Sequence, residues 1–259
     1  MGTYLDAIIE RHRLRASTDS RSWQERLELA TPKTATFGQA LKAGPNVSVI
    51  AEIKRKSPSK GWLAPDLYAT AMAKLYVQNG ASAISVLTDE EGFGGTLKDL
   101  REVRAITAAP VLRKDFTVSH NDILDAFDAG ADAVLLIVAA LSDEELTSFF
   151  ALANHLGLDS LVEVHSAEES LRAQAAGAEI IGINQRNLKT FEVDVEHAAR
   201  LASSLPSHVV KVCESGLRLP SDVEAAGQAG FDAVLVGEHF VTSEDPGTLV
   251  RHFTSVPRV

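Results

Sequence analysis

The sequence lacks the features that would assign it to several common protein classes. Cys213 is its only cysteine, which excludes a disulfide framework and a cysteine-based metal site and favours a reducing compartment. No apolar run approaches the roughly 18 residues that a membrane-spanning helix needs. A net charge of −10 argues against nucleic acid as the main partner, and charges among the first residues argue against a signal peptide. We therefore expect a cytoplasmic protein that binds neither nucleic acid nor a membrane.

The sequence also lacks metal motifs and low-complexity linkers. Its eight histidines show no metal-ligand spacing, so we expect no metal site and no cofactor. With 259 residues, the chain has the usual length of a single α/β barrel. We expect one domain over residues 1–259, in which residues 1–46 form a helical extension and residues 47–259 form the barrel. The extension is expected to cover one end of the barrel or the mouth of its site.

A near-repeat organises most of the chain. Gly80, Gly130, Gly177 and Gly230 each lie in a short segment suited to the end of a helix, and an apolar strand follows each one. The glycines recur at intervals of about 50 residues, which suits two strand–helix units rather than one. Four further apolar strands are predicted between the repeats, at residues 47–55, 110–116, 159–165 and 209–215.

Segments with helical spacing separate these eight strands. Several of them begin with capping signals, as at Ser142 and Ser166, each followed three residues later by a glutamate. Regular alternation of strands and helices predicts a parallel sheet that is covered on both faces. A closed (β/α)8 barrel is the simplest interpretation. A doubly wound open sheet is the alternative, although it usually has fewer strands and a glycine-rich first turn.

Polar side chains recur near the C-terminal ends of six of the strands, where a (β/α)8 barrel places its catalytic residues. Burying an unpaired charge at such a position costs free energy. Polar or charged side chains at the ends of six strands therefore indicate one shared site. These residues are Glu52 and Lys54, Lys114, Glu163 and His165, Asn184 and Arg186, Glu214 and Ser215, and Glu238.

Several of these residues suit proton transfer. Glu52 and Lys54 are two apart on one strand and point to the same face, together with Ile50, so they form either an acid–base pair or a salt bridge in the barrel interior. We expect desolvation and nearby cations to lower the pKa of Lys114, which would suit a general acid or a Schiff-base amine. We expect burial to raise the pKa of Glu163 and to fit it for proton transfer near neutral pH.

Other residues suit the binding of anions. Asn184 and Arg186 offer an amide and a planar cation to a carboxylate or an oxyanion. Ser215-Gly216 and Gly237-Glu238 follow the last two strands, where many barrels bind phosphate through backbone N–H groups; the alternative is that these glycines only form tight turns. The loop containing Lys56, Ser57 and Lys60 either adds positive charge to an anion site or is simply solvated.

Seven sequence motifs of this chain resemble those of the indole-3-glycerol phosphate synthase family, in the same order. Gln185 and the run His239-Phe240-Val241 depart from the family pattern beside expected backbone contacts. The motifs are IAEIKRKSPS at 50–59, SVLTDEEGFGG at 85–95, VLRKDF at 111–116, LVEVH at 161–165, GINQRNL at 182–188, ESG at 214–216 and LVGE at 235–238.

The resemblance implies a fold, an activity and roles for individual residues. The expected reaction converts 1-(2-carboxyphenylamino)-1-deoxyribulose 5-phosphate to indole-3-glycerol phosphate with loss of CO2 and water, in tryptophan biosynthesis. Lys114 would protonate the ketone oxygen, Glu163 would transfer protons in dehydration with Lys54 as partner acid, and Glu52 would orient Lys54 or share the base role. The other implied contacts are Asn184 and Glu214 with substrate hydroxyls, Ser57 and Arg186 with the carboxylate, Phe93 and Phe116 with the aromatic ring, and Ser215, Gly216, Gly237 and Glu238 with the phosphate. Leu188 is implied to be a further substrate-binding residue.

Two other functions remain compatible with a barrel of this kind. One is a different sugar-phosphate enzyme, such as phosphoribosylanthranilate isomerase; that reaction class uses a Cys/Asp pair, and Cys213 lies at the end of the wrong strand for it. The other is a barrel that binds a phosphorylated metabolite without catalysis, although binding alone would not require four ionisable groups on three strands. We expect a monomeric enzyme acting on a phosphorylated small molecule.

Overall fold

Eight parallel strands close into a barrel in the computed structural model, which describes residues 4–186 and 193–258. Each strand pairs with its neighbours in chain order, and the last strand, β10, closes the ring on β1. The predicted (β/α)8 barrel is therefore confirmed. The barrel strands are β1 (Ser48–Ile53), β4 (Ala83–Leu87), β5 (Val111–Lys114), β6 (Ala133–Ile137), β7 (Asp159–Val164), β8 (Ile180–Asn184), β9 (Val210–Glu214) and β10 (Ala233–Val236).

Helices surround the barrel, and some short elements were not predicted. Among helices of the described ranges, none combines the length and apolar character needed to cross a bilayer. The helices that begin after barrel strands are α4 (Ala69–Gln78), α6 (Leu97–Ile106), α7 (His120–Asp128), α8 (Asp143–Leu156), α9 (Ala167–Ala175), α10 (Val195–Ser204) and α11 (Pro220–Gln228). The unpredicted elements are the hairpin strands β2 (Lys56–Ser57) and β3 (Gly61–Trp62), the helices α5 (Glu90–Phe93), α12 (Glu238–Val241) and α13 (Pro246–Thr254), and a 3-10 turn at Val138–Ala140.

The predicted helix starts depend on side-chain caps. The hydroxyl of Ser142 accepts a hydrogen bond from the Glu145 backbone N–H, and the Glu145 carboxylate accepts one from the Ser142 N–H. Ser166 caps α9 by accepting from the Glu169 N–H. Such caps satisfy N–H groups that have no partner within the helix. Both capping signals seen in the sequence are confirmed.

Side-chain alternation along the strands separates two apolar regions. One region fills the barrel interior and takes a residue from every strand, for example Ile50, Leu112 and Leu161. The other lies between the strands and the helices and contains Ala51 and Ile53. The predicted inward and outward faces of β1 are therefore confirmed, as the two-residue period of a strand requires.

The N-terminal extension contacts both ends of the barrel. It comprises α1 (Tyr4–Ser17), α2 (Trp23–Leu29) and α3 (Phe37–Lys42). Phe37 and Leu41 of α3 are fully buried and belong to the interior apolar cluster. The Gly38 N–H donates to the carboxylate of Asp159, the first residue of β7, so α3 closes the N-terminal end of the strands. At the opposite end, α1 contributes to the cavity described next.

Candidate active site

The ionisable residues form a layer directly above the apolar interior, at the C-terminal ends of the strands. Glu52, Lys114, Glu163 and Glu214 each lie two residues after an inward-facing apolar residue of the same strand. Because side chains alternate along a strand, all four point into the barrel. A cavity opens above them and is also lined by Asn184 of β8. The barrel therefore brings together residues that are far apart in the sequence.

Lys114 lies between two buried carboxylates. Its Nζ is 3.5 Å from Oε2 of Glu163 and 3.6 Å from Oε2 of Glu214. Burial alone would lower the pKa of Lys114, but attraction to these carboxylates outweighs burial and raises it above its ordinary value. The expected lowering is therefore wrong, because the nearest charges are anions rather than cations. Lys114 is an ammonium group at neutral pH, which suits a proton donor and not a Schiff-base nucleophile.

Glu163 is held in its ionised form. Burial would raise the pKa of Glu163, but the positive charges of Lys114 and His165 outweigh burial and hold this pKa below its ordinary value. The Asn184 amide adds a hydrogen bond to Oε1, at 3.2 Å. The expected rise is therefore wrong for Glu163. An ionised carboxylate at this position suits a proton acceptor.

Glu214 is the carboxylate that stays neutral. Burial raises the pKa of Glu214 to about 8, the charge of Glu163 adds to the rise, and attraction to Lys114 opposes it. Its Oε1 is buried and has no hydrogen-bond partner among the residues that the structure describes, so it is available to a ligand. Two close carboxylates that share one cation cannot both ionise easily, and the pair therefore retains a proton near neutral pH.

This raised pKa predicts a stability change on Glu214→Gln. Between pH 4.5, where an unfolded glutamate ionises, and about 8, folding requires Glu214 to keep a proton that the unfolded chain has lost. Stability from this group is thus complete below pH 4.5 and is lost as the pH rises toward 8. A neutral glutamine avoids that loss. We expect the Tm difference between variant and wild type to be at least about 2 °C more favourable to the variant at pH 8 than at pH 4.

The exposed Glu224 on α11 provides a matched control for this prediction. Glu224→Gln makes the same change of a carboxyl group to an amide on the solvated surface, and its Tm difference from wild type should change little between the two pH values. Thermal unfolding followed by circular dichroism gives both Tm values. A Tm difference for Glu214→Gln that is the same at pH 4 and pH 8 would contradict the neutral state of Glu214.

Glu52 and Lys54 form an ion pair at the edge of the same layer. Their Oε1 and Nζ atoms are 2.9 Å apart, as expected for two side chains on one face of β1. Two glycines make room for the carboxylates. A Cβ at Gly237 would lie 2.4 Å from Oε1 of Glu52, and one at Gly182 would lie 2.1 Å from Oε1 of Glu214. The lack of a side chain at Gly237 therefore leaves room for Glu52, in addition to the phosphate-binding role that the sequence suggests for this glycine.

The turn after β9 has an unusual backbone. Ser215 has a φ of 71°, and among the described non-glycine residues it alone has a positive φ; Gly216 follows with a φ of 76°. The Ser215 hydroxyl donates to Oδ1 of Asn184 at 2.8 Å, which helps to hold this conformation. The same Oδ1 accepts from the backbone N–H of Arg186 at 3.0 Å. Asn184 thus fixes two chain segments that line the cavity.

The opposite side of the cavity is apolar. The rings of Phe93 and Phe116 lie 6.1 Å apart and both line it. Tyr4, Leu5 and Ile8 of α1 line it as well. The cavity thus has an aromatic side opposite the turns at Ser215 and Gly237.

The loop after β1 contributes less positive charge to the cavity than its sequence suggests. Lys56 donates to the carbonyl of Glu91 and lies over the Trp62 ring, and Lys60 pairs with Glu238 at 2.5 Å. The Ser57 hydroxyl is buried without a hydrogen-bond partner in residues 4–186 and 193–258, and Ser57 lines the cavity. Lys54 is therefore the lysine of this segment that faces the cavity.

Four other residues bear on the prediction of the site: Leu188, His165, Gly182 and Cys213. Leu188 lies outside the described residues. The sequence places His165 among the polar residues at the strand ends but indicates no role for it. Its Nε2 is 3.5 Å from Oε1 of Glu163, which is two residues earlier on the same face of the strand. Gly182 was missed, because only the folded barrel shows that the space beside this glycine is occupied by the carboxylate of Glu214. Cys213 packs outside the barrel among apolar residues, and burial raises the pKa of its thiol to about 12, which does not suit a catalytic acid.

Comparisons with known proteins agree on one family. The family model described as indole-3-glycerol phosphate synthase matches residues 5–253. A protein of that name from Saccharopolyspora erythraea is 48% identical over 246 residues, covering 95% of this chain and 91% of the relative. Another, from Parafrankia, is 53% identical over 211 residues, covering 82% of this chain and 79% of the relative.

Solved structures show the same fold in more distant proteins. Thiamine phosphate pyrophosphorylase from Pyrococcus furiosus has a TM-score of 0.60 at 16% identity, covering 80% of this chain and 93% of that one. N-acetylmannosamine-6-phosphate 2-epimerase from Clostridium perfringens has a TM-score of 0.59 at 14% identity, covering 75% and 87%. At these identities the likeness concerns the fold alone.

Proposed function

The chain belongs to the indole-3-glycerol phosphate synthase family, and from that premise we propose how its buried side chains carry out the reaction. The enzyme converts 1-(2-carboxyphenylamino)-1-deoxyribulose 5-phosphate to indole-3-glycerol phosphate in tryptophan biosynthesis. Three changes occur: a carbon–carbon bond closes the five-membered ring, CO2 leaves, and water leaves. Ring closure and the loss of water need protons to move at defined positions, whereas the loss of CO2 needs mainly positioning.

Lys114 is the general acid for ring closure in this proposal. The observation that carries it is the position of the Lys114 side chain, which is 15% exposed to solvent and lies between the carboxylates of Glu163 and Glu214. As the ring carbon attacks the ketone, negative charge develops on the ketone oxygen, and proton transfer from Lys114 neutralises it. Ring closure leaves a cationic intermediate, from which CO2 departs with little help beyond positioning.

Glu163 and Lys54 complete the dehydration. Glu163 is ionised in the free site and accepts a proton from the ring intermediate. Lys54 donates a proton to the departing hydroxyl, and together the two transfers release one water. Glu52, 2.9 Å from Lys54, orients this acid or shares the base role.

The remaining residues bind the ends of the substrate. Neutral Glu214 and the Asn184 amide hold hydroxyl groups, and Ser57 with Arg186 holds the anthranilate carboxylate. Phe93 and Phe116 pack on the aromatic ring, and Leu188 is a further substrate-binding residue in this proposal. Support comes from the aromatic side of the cavity, where ring burial is favourable.

The phosphate binds at the turns that follow β9 and β10. Ser215, Gly216, Gly237 and Glu238 offer backbone N–H groups there. The two successive positive φ values at Ser215 and Gly216 support this assignment, because such a backbone turns neighbouring N–H groups toward one side. Lys60 neutralises the Glu238 carboxylate, which would otherwise repel the phosphate.

A fluorescence assay of indole formation from the carboxyphenylamino substrate tests the proposal directly. We expect the purified protein to turn over without added metal or cofactor. Binding of the substrate without product formation would instead support a non-catalytic barrel.

We also propose that the enzyme is a monomer of the cytoplasm. One chain supplies every acid, base and binding group that the proposed reaction uses, so the reaction does not require a second copy. The buried free thiol of Cys213 suits a reducing compartment. Light scattering of the purified protein and cell fractionation test these two points.

A further inference from the structure

A buried histidine of the N-terminal helix lies behind the aromatic side of the cavity. His12 of α1 is 1% exposed. Its Nε2 is 3.3 Å from Oδ1 of Asp89 and 3.8 Å from Oδ1 of Asp115. Asp89 precedes α5, and Asp115 follows Lys114 at the end of β5. His12 thus contacts two loops that border the cavity, although it lies far from both in the sequence.

The hydrogen-bond partners of His12 assign its tautomer. Nη2 of Arg15 is 3.1 Å from Nδ1 of His12. A guanidinium can only donate, so Nδ1 accepts and the ring proton lies on Nε2. The proton is therefore directed at Asp89, and His12 acts as a neutral donor.

Charge balance around the cluster favours a neutral donor over a metal ion. The groups of His12, Asp89 and Asp115 all lie within 4.8 Å of one another, which is also a spacing that a metal could use. Each carboxylate already has a guanidinium partner: Arg11 is 2.6 Å from Asp89 and Arg113 is 2.7 Å from Asp115. Two arginines balance two carboxylates, so a further cation would add uncompensated charge.

Each aspartate fixes one of the two aromatic residues of the cavity. Oδ2 of Asp89 accepts from the Gly92 N–H and caps α5, which ends at Phe93. Oδ1 of Asp115 accepts from the backbone N–H of Phe116 at 2.8 Å.

The His12 ring also contacts an aromatic residue of the cavity directly. Its centroid is 5.4 Å from that of Phe116, which in turn lies 6.1 Å from that of Phe93. His12 therefore contacts both of the aspartates that hold the Phe93 and Phe116 segments, and its ring packs on Phe116.

We propose that His12 is a positioning residue that sets the relative placement of Phe93 and Phe116, and through them the affinity for the aromatic end of the substrate. The inference rests on the proposed function, in which these two rings contact the anthranilate group. His12 touches neither Glu163 nor Glu214 among its described contacts, so its influence is on binding more than on proton transfer.

The test compares two substitutions of His12, each of which removes one feature of the side chain and keeps the other. His12→Phe keeps a ring against Phe116 and removes the N–H directed at Asp89, whereas His12→Gln keeps an N–H donor and removes the ring. Loss of a hydrogen bond to a charged group is expected to raise KM roughly tenfold in His12→Phe, with kcat changed less than about threefold. His12→Gln should recover at least half of that loss on a logarithmic scale.

A second readout measures binding without turnover. An analogue whose ketone is reduced to an alcohol cannot close the ring, and its Kd by calorimetry should rise in parallel with KM. Arg13→Ala is the matched control, because Arg13 joins the same helix to Glu145 at 2.7 Å on another face. A surface pair of this kind contributes little, so KM in the control should stay within about twofold of wild type.

The outcomes separate this inference from the proposed function. Turnover by wild type together with an unchanged KM and analogue Kd in His12→Phe would overturn the positioning role alone. An equal KM rise in Arg13→Ala would also overturn it, since general loosening of α1 would then suffice. No turnover by wild type would instead remove the proposed function. If His12→Phe does not fold, His12→Asn serves in its place, because its shorter amide cannot reach Asp89.

Discussion

Lys114→Met is expected to lower kcat by at least about 100-fold, the lower end of what general acid catalysis typically contributes. Methionine keeps the length and the apolar stem of the side chain but cannot donate a proton. The ketone oxygen would then develop charge without the ammonium group that the proposal places beside it. Initial rates at saturating substrate, followed by the fluorescence of the indole product, measure the effect.

The barrel should survive this change at neutral pH. Removal of the ammonium leaves Glu214 without its nearest cation and Glu163 with His165 alone, and a buried carboxylate that loses a cation takes up a proton more readily than it remains charged. Far-ultraviolet circular dichroism at pH 7 checks that the fold is intact.

An exposed lysine supplies the control for Lys114→Met. Lys98 lies on the surface of α6 and forms only a long ion pair with Glu102, at 3.7 Å. Lys98→Met makes the same chemical change away from the cavity and should leave kcat unchanged. If Lys114→Met kept more than half of the wild-type kcat, Lys114 could not be the general acid.

The location of the site could be predicted from the sequence because strand geometry is regular. Side chains alternate with a period of two, so Glu52 and Lys54 had to share a face with Ile50. The ends of parallel strands meet at one end of a barrel, so Lys114 and Glu163 had to approach each other. Neither argument needs any knowledge of tertiary contacts.

The protonation states could not be predicted in the same way. They depend on which charges lie within a few ångströms across different strands. Lys114 was expected to have cationic neighbours, but the barrel places Glu163 and Glu214 beside it. The raised carboxylate pKa consequently belongs to Glu214 and not to Glu163.

Sequence patterns also could not predict the short helices and strands, or which ends of the barrel the N-terminal extension contacts. Helix α5 spans four residues, too few to show a helical period, and it is held by the cap at Asp89. The extension was expected to cover either the barrel end or the mouth. It does both, because Phe37 is buried in the barrel interior while Ile8 lines the cavity.

Glu163→Gln is expected to separate the loss of CO2 from the loss of water. Glutamine keeps the shape of the side chain and an oxygen that can accept from Asn184, but it cannot take up a proton. Lys114 still has the carboxyl of Glu214 at 3.6 Å, and removal of the Glu163 charge makes that carboxyl easier to ionise. Ring closure and decarboxylation should therefore continue, whereas dehydration stalls.

The intermediate that accumulates would retain the hydroxyl group. In a single turnover with carboxyl-labelled substrate, quenched and separated by chromatography, CO2 release should be faster than indole formation. The loss in kcat should reach about 100-fold or more, as expected for removal of a general base.

Glu52→Gln is the matched comparison, since Glu52 is also a buried carboxylate beside a lysine of the cavity. Its contact is with Lys54 at 2.9 Å, so the substitution weakens the orientation of that acid and should change KM and kcat together. We expect a smaller loss of kcat than for Glu163→Gln and no lag between CO2 and indole. Equal rates of CO2 release and indole formation in Glu163→Gln would place Glu163 before decarboxylation or in binding alone. The barrel and the substrate would be unaffected by that result, but the base for dehydration would then have to be another carboxylate of the layer, and Glu52 is the one already paired with an acid.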